Sequence, residues 1–279
     1  MGLVIGRSSS FSFDVTNVSV STDSTTVTAG TSNADGTAVT LLSALSRDLH
    51  LITVGIGNIL TSSQDNSALA DLLYDPAGGT SWSSLVDDLL CGWSSTIGGA
   101  QDLNVYYAFP IWVPAGASIG MRIRKTGGTA SSAKVRVYGF GDPANPDLWW
   151  CGQKVESLGI DASNSKGTDV TPGTSSSFGS WTAIGTSTRR YGALNFGIGL
   201  AGVTSVTANH RYNFEMGSGS ARIEGTGTYS AVMNSGLVTR YGMNLHLVDI
   251  PASTALQARA SDSGASGGQT PNVAFYGVY

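Results

Sequence analysis

The feature that most constrains the fold is a segment that occurs twice, once in the middle of the chain and once at its end. Residues 113–141 are VPAGASIGMRIRKTGGTASSAKVRVYGFG, and residues 250–279 are IPASTALQARASDSGASGGQTPNVAFYGVY. In each copy an aliphatic residue, Pro and Ala precede two alternating apolar–polar stretches, which flank a Gly/Ser/Thr turn. Two such stretches around a glycine-rich turn are typical of a β-hairpin. The sequence therefore predicts one β-fold used twice, with a hairpin closing each half.

Other short matches recur in the same order in both halves. They are VTAGTS at 27–32 with VTPGTS at 170–175, Thr40 with Thr182, Arg47 with Arg189, and the Gly-Ile-Gly of 55–57 with that of 197–199. Two copies are too few for a solenoid, and each unit has the size of an ordinary domain. We therefore predict an internal duplication with domains at 1–141 and 148–279. The two prolines of residues 142–147 indicate a short, stiff linker.

Composition favours a β-rich subunit of an assembly. Only 12% of the residues are charged, about half the roughly 25% of an average soluble domain. Disorder is excluded because 41% of the residues are hydrophobic and they alternate regularly. Lys and Glu, the residue types depleted from protein–protein interfaces, are especially scarce.

Charge and hydropathy also limit the partners and the location. With a net charge of −4, the chain has no overall field that would attract nucleic acid or an anionic membrane. No apolar run is long enough for a transmembrane helix. The start, MGLVIGRSSS, lacks the charged region of a signal peptide, which predicts synthesis in a cytoplasm without Sec export. Cys91 and Cys151 are predicted to be two idle thiols, the alternative being a pair bonded after lysis.

Many short predicted strands without crossover helices indicate an antiparallel β-sandwich in each half. Roughly eight strands per unit favour a jelly roll, with an immunoglobulin-like sandwich as the alternative. Two segments are less regular. Residues 67–74 are predicted to be a loop with short helical character, and residues 81–90 a strand with a short helical turn.

The sequence contains no motif typical of an enzyme active site. His50, His210 and His246 are isolated in strand contexts, which indicates structural roles rather than metal ligation. Asp87 with Asp88, and Glu215 with Glu224, are the candidate carboxylate pairs, and neither pattern establishes the facing geometry that glycan hydrolysis needs. We therefore predict no catalysis, no cofactor and no metal site.

Aromatic residues are concentrated in the first half. As candidate glycan contacts we consider Trp82, Trp93, Tyr106, Tyr107 and Trp112. Because aromatic side chains dominate cores and interfaces, burial in a core or a subunit interface is the favoured interpretation of this group.

The segments at 109–128 (FPIWVPAGASIGMRIRKTGG), 155–175 (VESLGIDASNSKGTDVTPGTS) and 196–199 (FGIG) resemble structural proteins of tailed bacteriophages and related gene-transfer particles. The resemblance covers most of both halves and is patchy in 60–99 and 201–236. It implies a jelly-roll subunit on the outside of a virion, often trimeric, as head decoration, head fibre or receptor-binding protein. The expected partners are copies of itself and other virion proteins. A host-polysaccharide-binding adhesin is the alternative.

The first copy of the repeated segment carries basic residues that the second has mostly lost. Period-two geometry predicts an outward stripe, with no acid interleaved, in which a turn residue joins the strand residues: Arg122, Arg124, Lys125, Lys134 and Arg136. A solvated strand face is one interpretation of this stripe. The other, which we pursue, is that it docks the first domain onto an acidic surface of the particle, because like charges at close range are tolerated where a partner offsets them. The second domain would then lie outermost.

Overall fold

The computed structural model describes residues 18–20, 25–57, 68–91, 105–128, 131–141, 150–174, 176–202, 210–223, 229–234, 237–240, 245–264 and 270–279. These residues form β-strands and connecting turns, together with a 3-10 turn at Ala162–Asn164. The predicted linker at 142–147 lies outside the described residues.

Strands of the first half form two sheets. They are β1 (Val18–Val20), β2 (Thr25–Ala29), β3 (Val39–Leu42), β4 (Leu51–Gly57), β5 (Ala68–Asp75), β6 (Ser83–Leu90), β7 (Val105–Phe109), β8 (Ser118–Lys125) and β9 (Ser131–Phe140). Sheet 1A has the order β1-β9-β4-β7, with β2 also paired to β9, and sheet 1B has the order β3-β8-β5-β6.

Strands of the second half form two further sheets. They are β10 (Val155–Leu158), β11 (Ile160–Asp161), β12 (Lys166–Asp169), β13 (Pro172–Gly173), β14 (Thr182–Thr186), β15 (Tyr191–Gly202), β16 (His210–Ser218), β17 (Ala221–Arg222), β18 (Tyr229–Asn234), β19 (Leu237–Arg240), β20 (Leu245–Ile250), β21 (Ala255–Asp262) and β22 (Thr270–Val278). Sheet 2A has the order β11-β12-β22-β15-β20, with β10 on β22. Sheet 2B has the order β13-β21-β16-β18-β19, with β14 on β21 and β17 on β16.

Eight strands in each half follow the same path. We number these eight strands from one to eight in chain order within each half and leave the additional strands out. Strands one, eight, three and six then form one sheet, and strands two, seven, four and five form the other. These are β2-β9-β4-β7 with β3-β8-β5-β6, and β12-β22-β15-β20 with β14-β21-β16-β18. This order of interlocked Greek keys is a jelly roll. The jelly-roll prediction is confirmed, and the immunoglobulin-like alternative, with its four-plus-three arrangement, is wrong.

The predicted closing hairpins are wrong in both halves. β8 pairs with β3 and β5, whereas β9 pairs with β1, β2 and β4. In the same way β21 belongs to sheet 2B and β22 to sheet 2A. Alternating polarity specifies a strand with one buried face, but it does not specify the partner strand. Because a jelly roll places its last two strands in opposite sheets, the turn crosses between the sheets.

One central strand was not predicted from the sequence. Residues Ala68–Asp75 form β5, between β8 and β6, and not a loop with helical character. The segment is rich in Ala and Leu, which favour helices in isolation, but burial in a sheet overrides such weak preferences. The neighbouring segment Ser83–Leu90 is the strand β6, as predicted, but it lacks the predicted short helical turn.

The two jelly rolls share pairing registers. In sheet 1A, Thr53 lies opposite Tyr138, and in sheet 2A Asn195 lies opposite Tyr276. Tyr138 therefore corresponds to Tyr276, as the duplication predicts. The bulge after Thr40 in β3 recurs after Ala183 in β14, so Thr40 corresponds to Ala183 and the match with Thr182 is off by one residue.

The turn that opens the repeated segment is also the same in both halves. The backbone N–H of Gly116 donates to the carbonyl of Leu45, and that of Ser253 donates to the carbonyl of Ser187. Gly116 has φ = 83° and Ser253 has φ = 65°, in the left-handed region that favours glycine. The two halves thus share pairing registers, a bulge and a turn, and an origin by duplication stays a prediction.

Candidate functional site

The two jelly rolls contact each other through an edge of the first and a face of the second. We call the outer face of sheet 2A around Tyr276 the covered face. Its side chains Asn195, Asn272, Ala274 and Tyr276 are completely buried. The edge that covers it includes β6, the last strand of sheet 1B, and β7, the last strand of sheet 1A.

Polar groups of the second jelly roll satisfy the free backbone of β6. The Tyr276 hydroxyl accepts a hydrogen bond from the N–H of Leu90 at 2.8 Å and donates to the carbonyl of Asp88 at 2.9 Å. Ser157 donates to the carbonyl of Asp87 at 2.5 Å. Edge strands with unpaired backbone groups are prone to pair with other chains. The second jelly roll removes this hazard for β6.

Further contacts close the same interface. Within the first jelly roll the Tyr107 hydroxyl donates to the carbonyl of Leu90 at 2.7 Å, and across the interface Asn195 donates to the carbonyl of Ala108 at 2.9 Å. The rings of Tyr107 and Tyr276 meet edge to face at 5.3 Å between centroids. Burial raises the pKa of Tyr276 well above its ordinary value, so this hydroxyl keeps its proton. The two jelly rolls thus share one buried, hydrogen-bonded core.

Among the residues that the structure describes, no second jelly roll covers the matching surface of the first in this way. We call the outer face of sheet 1A around Tyr138 the open face. Arg136 and Tyr138 are half-buried, Lys134 is exposed, and Tyr106 is 48% exposed. The guanidinium carbon of Arg136 lies 5.1 Å from the centre of the Tyr138 ring, a cation–π distance.

The predicted docking stripe is wrong as a single surface. Arg122 and Arg124 lie on β8 in sheet 1B, whereas Lys134 and Arg136 lie on β9 in sheet 1A. Since the outward faces of the two sheets of a sandwich point in opposite directions, these pairs are separated. Lys125, predicted to lie in the turn, is the last residue of β8 and is completely buried.

Acidic residues also accompany the arginines of β8. Arg122 contacts Asp71 at 2.7 Å and Asp35 at 3.2 Å. Arg124 contacts Asp35 at 3.7 Å and pairs closely with Asp88. The segment itself has no acidic residue among its basic residues. Folding nevertheless brings aspartates next to the arginines from β5, β6 and a distant loop.

Asp88 couples this network to the covered edge. Its backbone N–H donates to Asp71 at 2.9 Å, and its carbonyl accepts the bond from Tyr276. Burial raises the pKa of Asp88 to about 6, against an opposing effect of Arg124, and Asp71 and Asp87 raise it further. Near neutral pH the charged form of the Asp88 carboxyl is therefore less favourable than the charged form of an ordinary aspartate.

The second jelly roll has an equivalent pair of an arginine and a carboxylate on neighbouring strands, but the residues around this pair differ. Arg259 lies opposite Glu215, as Arg122 lies opposite Asp71. The Arg259 Nη2–Glu215 Oε2 distance is 2.6 Å. Here the partners of the arginine include two aromatic rings, those of Phe178 and Trp181.

The candidate glycan contacts do not form one groove. Trp82 covers Gly120 of sheet 1B, whereas Tyr106 covers Gly55 of sheet 1A. Tyr107 is 2% exposed in the interface between the jelly rolls. Trp112 is 42% exposed, with its indole N–H 3.4 Å from Asp48. Trp93 lies outside the described residues.

The remaining reactive side chains are dispersed. Cys91 is buried, Cys151 is half-buried with its pKa raised by burial, and no disulfide joins these two described residues. Within the described ranges, no three His, Cys, Asp or Glu side chains are grouped to hold a metal ion. In that same part of the chain, no helix is long and apolar enough to span a membrane.

No protein-family model and no curated protein matches the chain. Among solved structures, the STIV MCP has 10% identity and a TM-score of 0.35, over 94% of this chain and 95% of that chain. The major capsid protein P2 from bacteriophage PM2 has 10% identity and a TM-score of 0.30, over 91% and 97%. PNGase F, a glycosylasparaginase from Flavobacterium meningosepticum, has 8% identity and a TM-score of 0.36, over 93% and 94%.

Viral capsid proteins are thus among the structures to which this chain is similar. TM-scores this low, shared with a glycosylasparaginase, do not separate a structural function from an enzymatic one. The expectation of a tailed-phage protein stays a prediction.

Proposed function

We propose that the chain is a non-enzymatic structural subunit of a virion, which assembles with copies of itself through an edge-to-face contact comparable to the one that joins its own jelly rolls. One observation carries the assembly part of this proposal. The covered face around Tyr276 lies beneath a neighbouring jelly roll, whereas in the described part of the chain no jelly roll covers the open face around Tyr138, which has the same register.

A second copy can supply the missing cover. β20 ends sheet 2A as β7 ends sheet 1A, and its Leu247 is 50% exposed. An edge of one copy against the open face of the next is a heterologous contact, which forms a ring where the rotation closes. The trimer implied by the sequence resemblance would be such a ring, with six jelly rolls.

The virion location has separate support. Jelly rolls recur in viral capsid and lectin domains, the resemblance to virion proteins covers most of both halves, and a surface poor in Lys and Glu suits burial against neighbours. Lys134 and Arg136, two of the predicted docking residues, belong to the open face and would contact the next subunit. Contacts with other virion proteins are part of the same proposal.

Light scattering coupled to size exclusion tests the assembly. We expect the wild-type protein to form a defined oligomer, and the double variant Tyr138→Ala, Arg136→Glu to remain a monomer with an unchanged fold. Arg211→Glu is the matched control because Arg211 is exposed on β16 of sheet 2B and belongs neither to the open face nor to β20. A wild-type monomer at high micromolar concentration, or a double variant that assembles normally, contradicts the assembly mode.

Mass spectrometry and electron microscopy of purified particles test the location. We expect the protein at a regular copy number on the particle surface. Its absence from particles that are otherwise complete contradicts the virion part of the proposal, whatever its oligomeric state.

A further inference from the structure

The outer face of sheet 2B carries a group of side chains that the proposed assembly does not use. We call Phe178, Trp181, Glu215 and Arg259 the Arg259 cluster. The guanidinium carbon of Arg259 lies 4.8 Å from the centre of the Phe178 ring and 4.5 Å from the centre of the Trp181 ring. Its Nε donates to Glu215 Oε2 at 2.8 Å, and its Nη2 lies 2.6 Å from the same oxygen. The arginine is therefore held in one orientation by three side chains.

Within the part of the chain that the structure describes, one end of this guanidinium is left for a ligand. The bonds to Glu215 use Nε and Nη2 along one side, so Nη1 and the second N–H of Nη2 lie at the other end. The Arg259 side chain is 31% exposed, whereas that of Glu215 is 8% exposed. Two parallel N–H groups of arginine suit a carboxylate or a pair of neighbouring hydroxyls.

The charge of the cluster favours an anion. Arg222 lies 3.6 Å from the other oxygen of Glu215 and is 52% exposed, so two arginines share one carboxylate. In the first jelly roll the equivalent arginine is surrounded by Asp35 and Asp71. The second jelly roll has Phe178 at the position of Asp35, which removes a negative charge from this setting.

Aromatic surface beside the arginine favours a ring-shaped ligand. Trp181 and Phe178 are half-buried. The Trp181 ring covers Gly217, where a Cβ would come within 2.4 Å of the indole. A glycine at this position is what allows the ring to lie close to the sheet. A partly exposed indole offers apolar area to the C–H face of a sugar.

We propose that the Arg259 cluster binds an acidic saccharide, with a sugar carboxylate at the free end of Arg259 and the sugar ring against Trp181. The site lies on sheet 2B of the second jelly roll, whereas the proposed assembly uses the open face on sheet 1A. Failure of one of these two proposals therefore does not contradict the other.

Calorimetric titration with oligosaccharides of galacturonate, mannuronate and glucuronate tests the proposal, with a neutral glucan of the same length and polyglutamate as competing probes. We expect at least one acidic oligosaccharide to bind the wild-type protein. Its affinity should fall with salt, because screening weakens an exposed ionic contact. Failure of all three oligosaccharides to bind at millimolar concentration overturns the proposal. Equal affinity for the neutral glucan or for polyglutamate also overturns it.

Substitutions locate the site. Trp181→Ala and Arg259→Lys should each weaken binding about tenfold, since lysine keeps the charge but not the two-point contact. Trp82→Ala is the matched control, because Trp82 covers Gly120 of sheet 1B as Trp181 covers Gly217 of sheet 2B. Circular dichroism and the urea midpoint establish that each variant is folded. Undiminished binding by folded Trp181→Ala, or equal loss in Trp82→Ala, contradicts this location.

Discussion

Two tyrosines occupy the same position in the two jelly rolls and have opposite environments. Tyr276 is completely buried, and its hydroxyl bonds two backbone groups of β6. Tyr138 is half-buried beneath Arg136. The pairing registers around them are identical, so the sheet itself does not decide whether the residue is buried. The cover supplied by the neighbouring jelly roll decides it.

The same comparison explains why the second copy lacks basic residues. Arg136 corresponds to Ala274, and Lys134 corresponds to Asn272, by the register that matches the two tyrosines. Ala274 and Asn272 are completely buried, and an unpaired charge at such a position is strongly unfavourable. On the open face Lys134 is exposed and Arg136 is half-buried. Loss of charge therefore marks the face that became covered.

The largest expected effect is the difference in stability between the alanine variants of the two tyrosines. Tyr276→Ala should lower the free energy of unfolding by about 4 kcal/mol, because it leaves a cavity and two unsatisfied backbone groups. Tyr138→Ala should lower it by only about 1 to 2 kcal/mol, because this side chain is half-buried and no backbone group depends on it. Urea unfolding at protein concentrations below assembly measures both. Equal losses would show that the two faces are not in different environments.

The next effect concerns the covered edge and pH. The pKa of Asp88 is raised from 3.8 to about 6, so folding favours the protonated carboxyl. The resulting stability is fully present below about pH 4 and is lost as pH rises through about 6, an effect of about 2 kcal/mol. Urea unfolding between pH 4 and 8 should show this loss.

Asp88→Asn is the control for the pH effect. Asp88 has φ = 60°, a conformation that asparagine also tolerates. The variant should show a smaller decline over the same pH range. A decline as steep as that of the wild-type protein would assign the effect to another group.

The smallest effect compares the two opening turns. Gly116→Ala should lower the free energy of unfolding by about 1 kcal/mol, because φ at this position is positive. Ser253→Gly should raise it by about 0.5 kcal/mol by relieving the same strain. Thermal or urea unfolding measures both. Changes of the same sign would indicate that the two turns are not equivalent.

The jelly-roll fold was predictable from strand number and alternation, because one buried face per strand leaves a period of two in the sequence. Strand partners were not, since alternation is the same whichever strand lies alongside. For the same reason, the sequence did not show that the residues of the predicted docking stripe lie on two different sheets. It also concealed the aspartates of Arg122, because Asp35 and Asp71 reach it only through folding.

The Arg259 cluster could have been noticed from the repeat. Aligning residues 27–36 with residues 170–179 places Asp35 opposite Phe178. That exchange of a charge for an aromatic ring signals a change of environment between the two copies. Its meaning requires the fold, because Glu215 and Arg259 meet across β16 and β21.

The bond between Tyr276 and β6 has a consequence for synthesis on the ribosome. Leu90 and Tyr276 are separated by 186 residues, which translation at about 5 to 20 residues per second adds in roughly 10 to 40 seconds. Throughout that interval the nascent first jelly roll carries β6 without its tyrosine cap, so neighbouring chains on one messenger can pair along it. Completion of the last strand is therefore the event that ends the aggregation-prone period of the nascent chain.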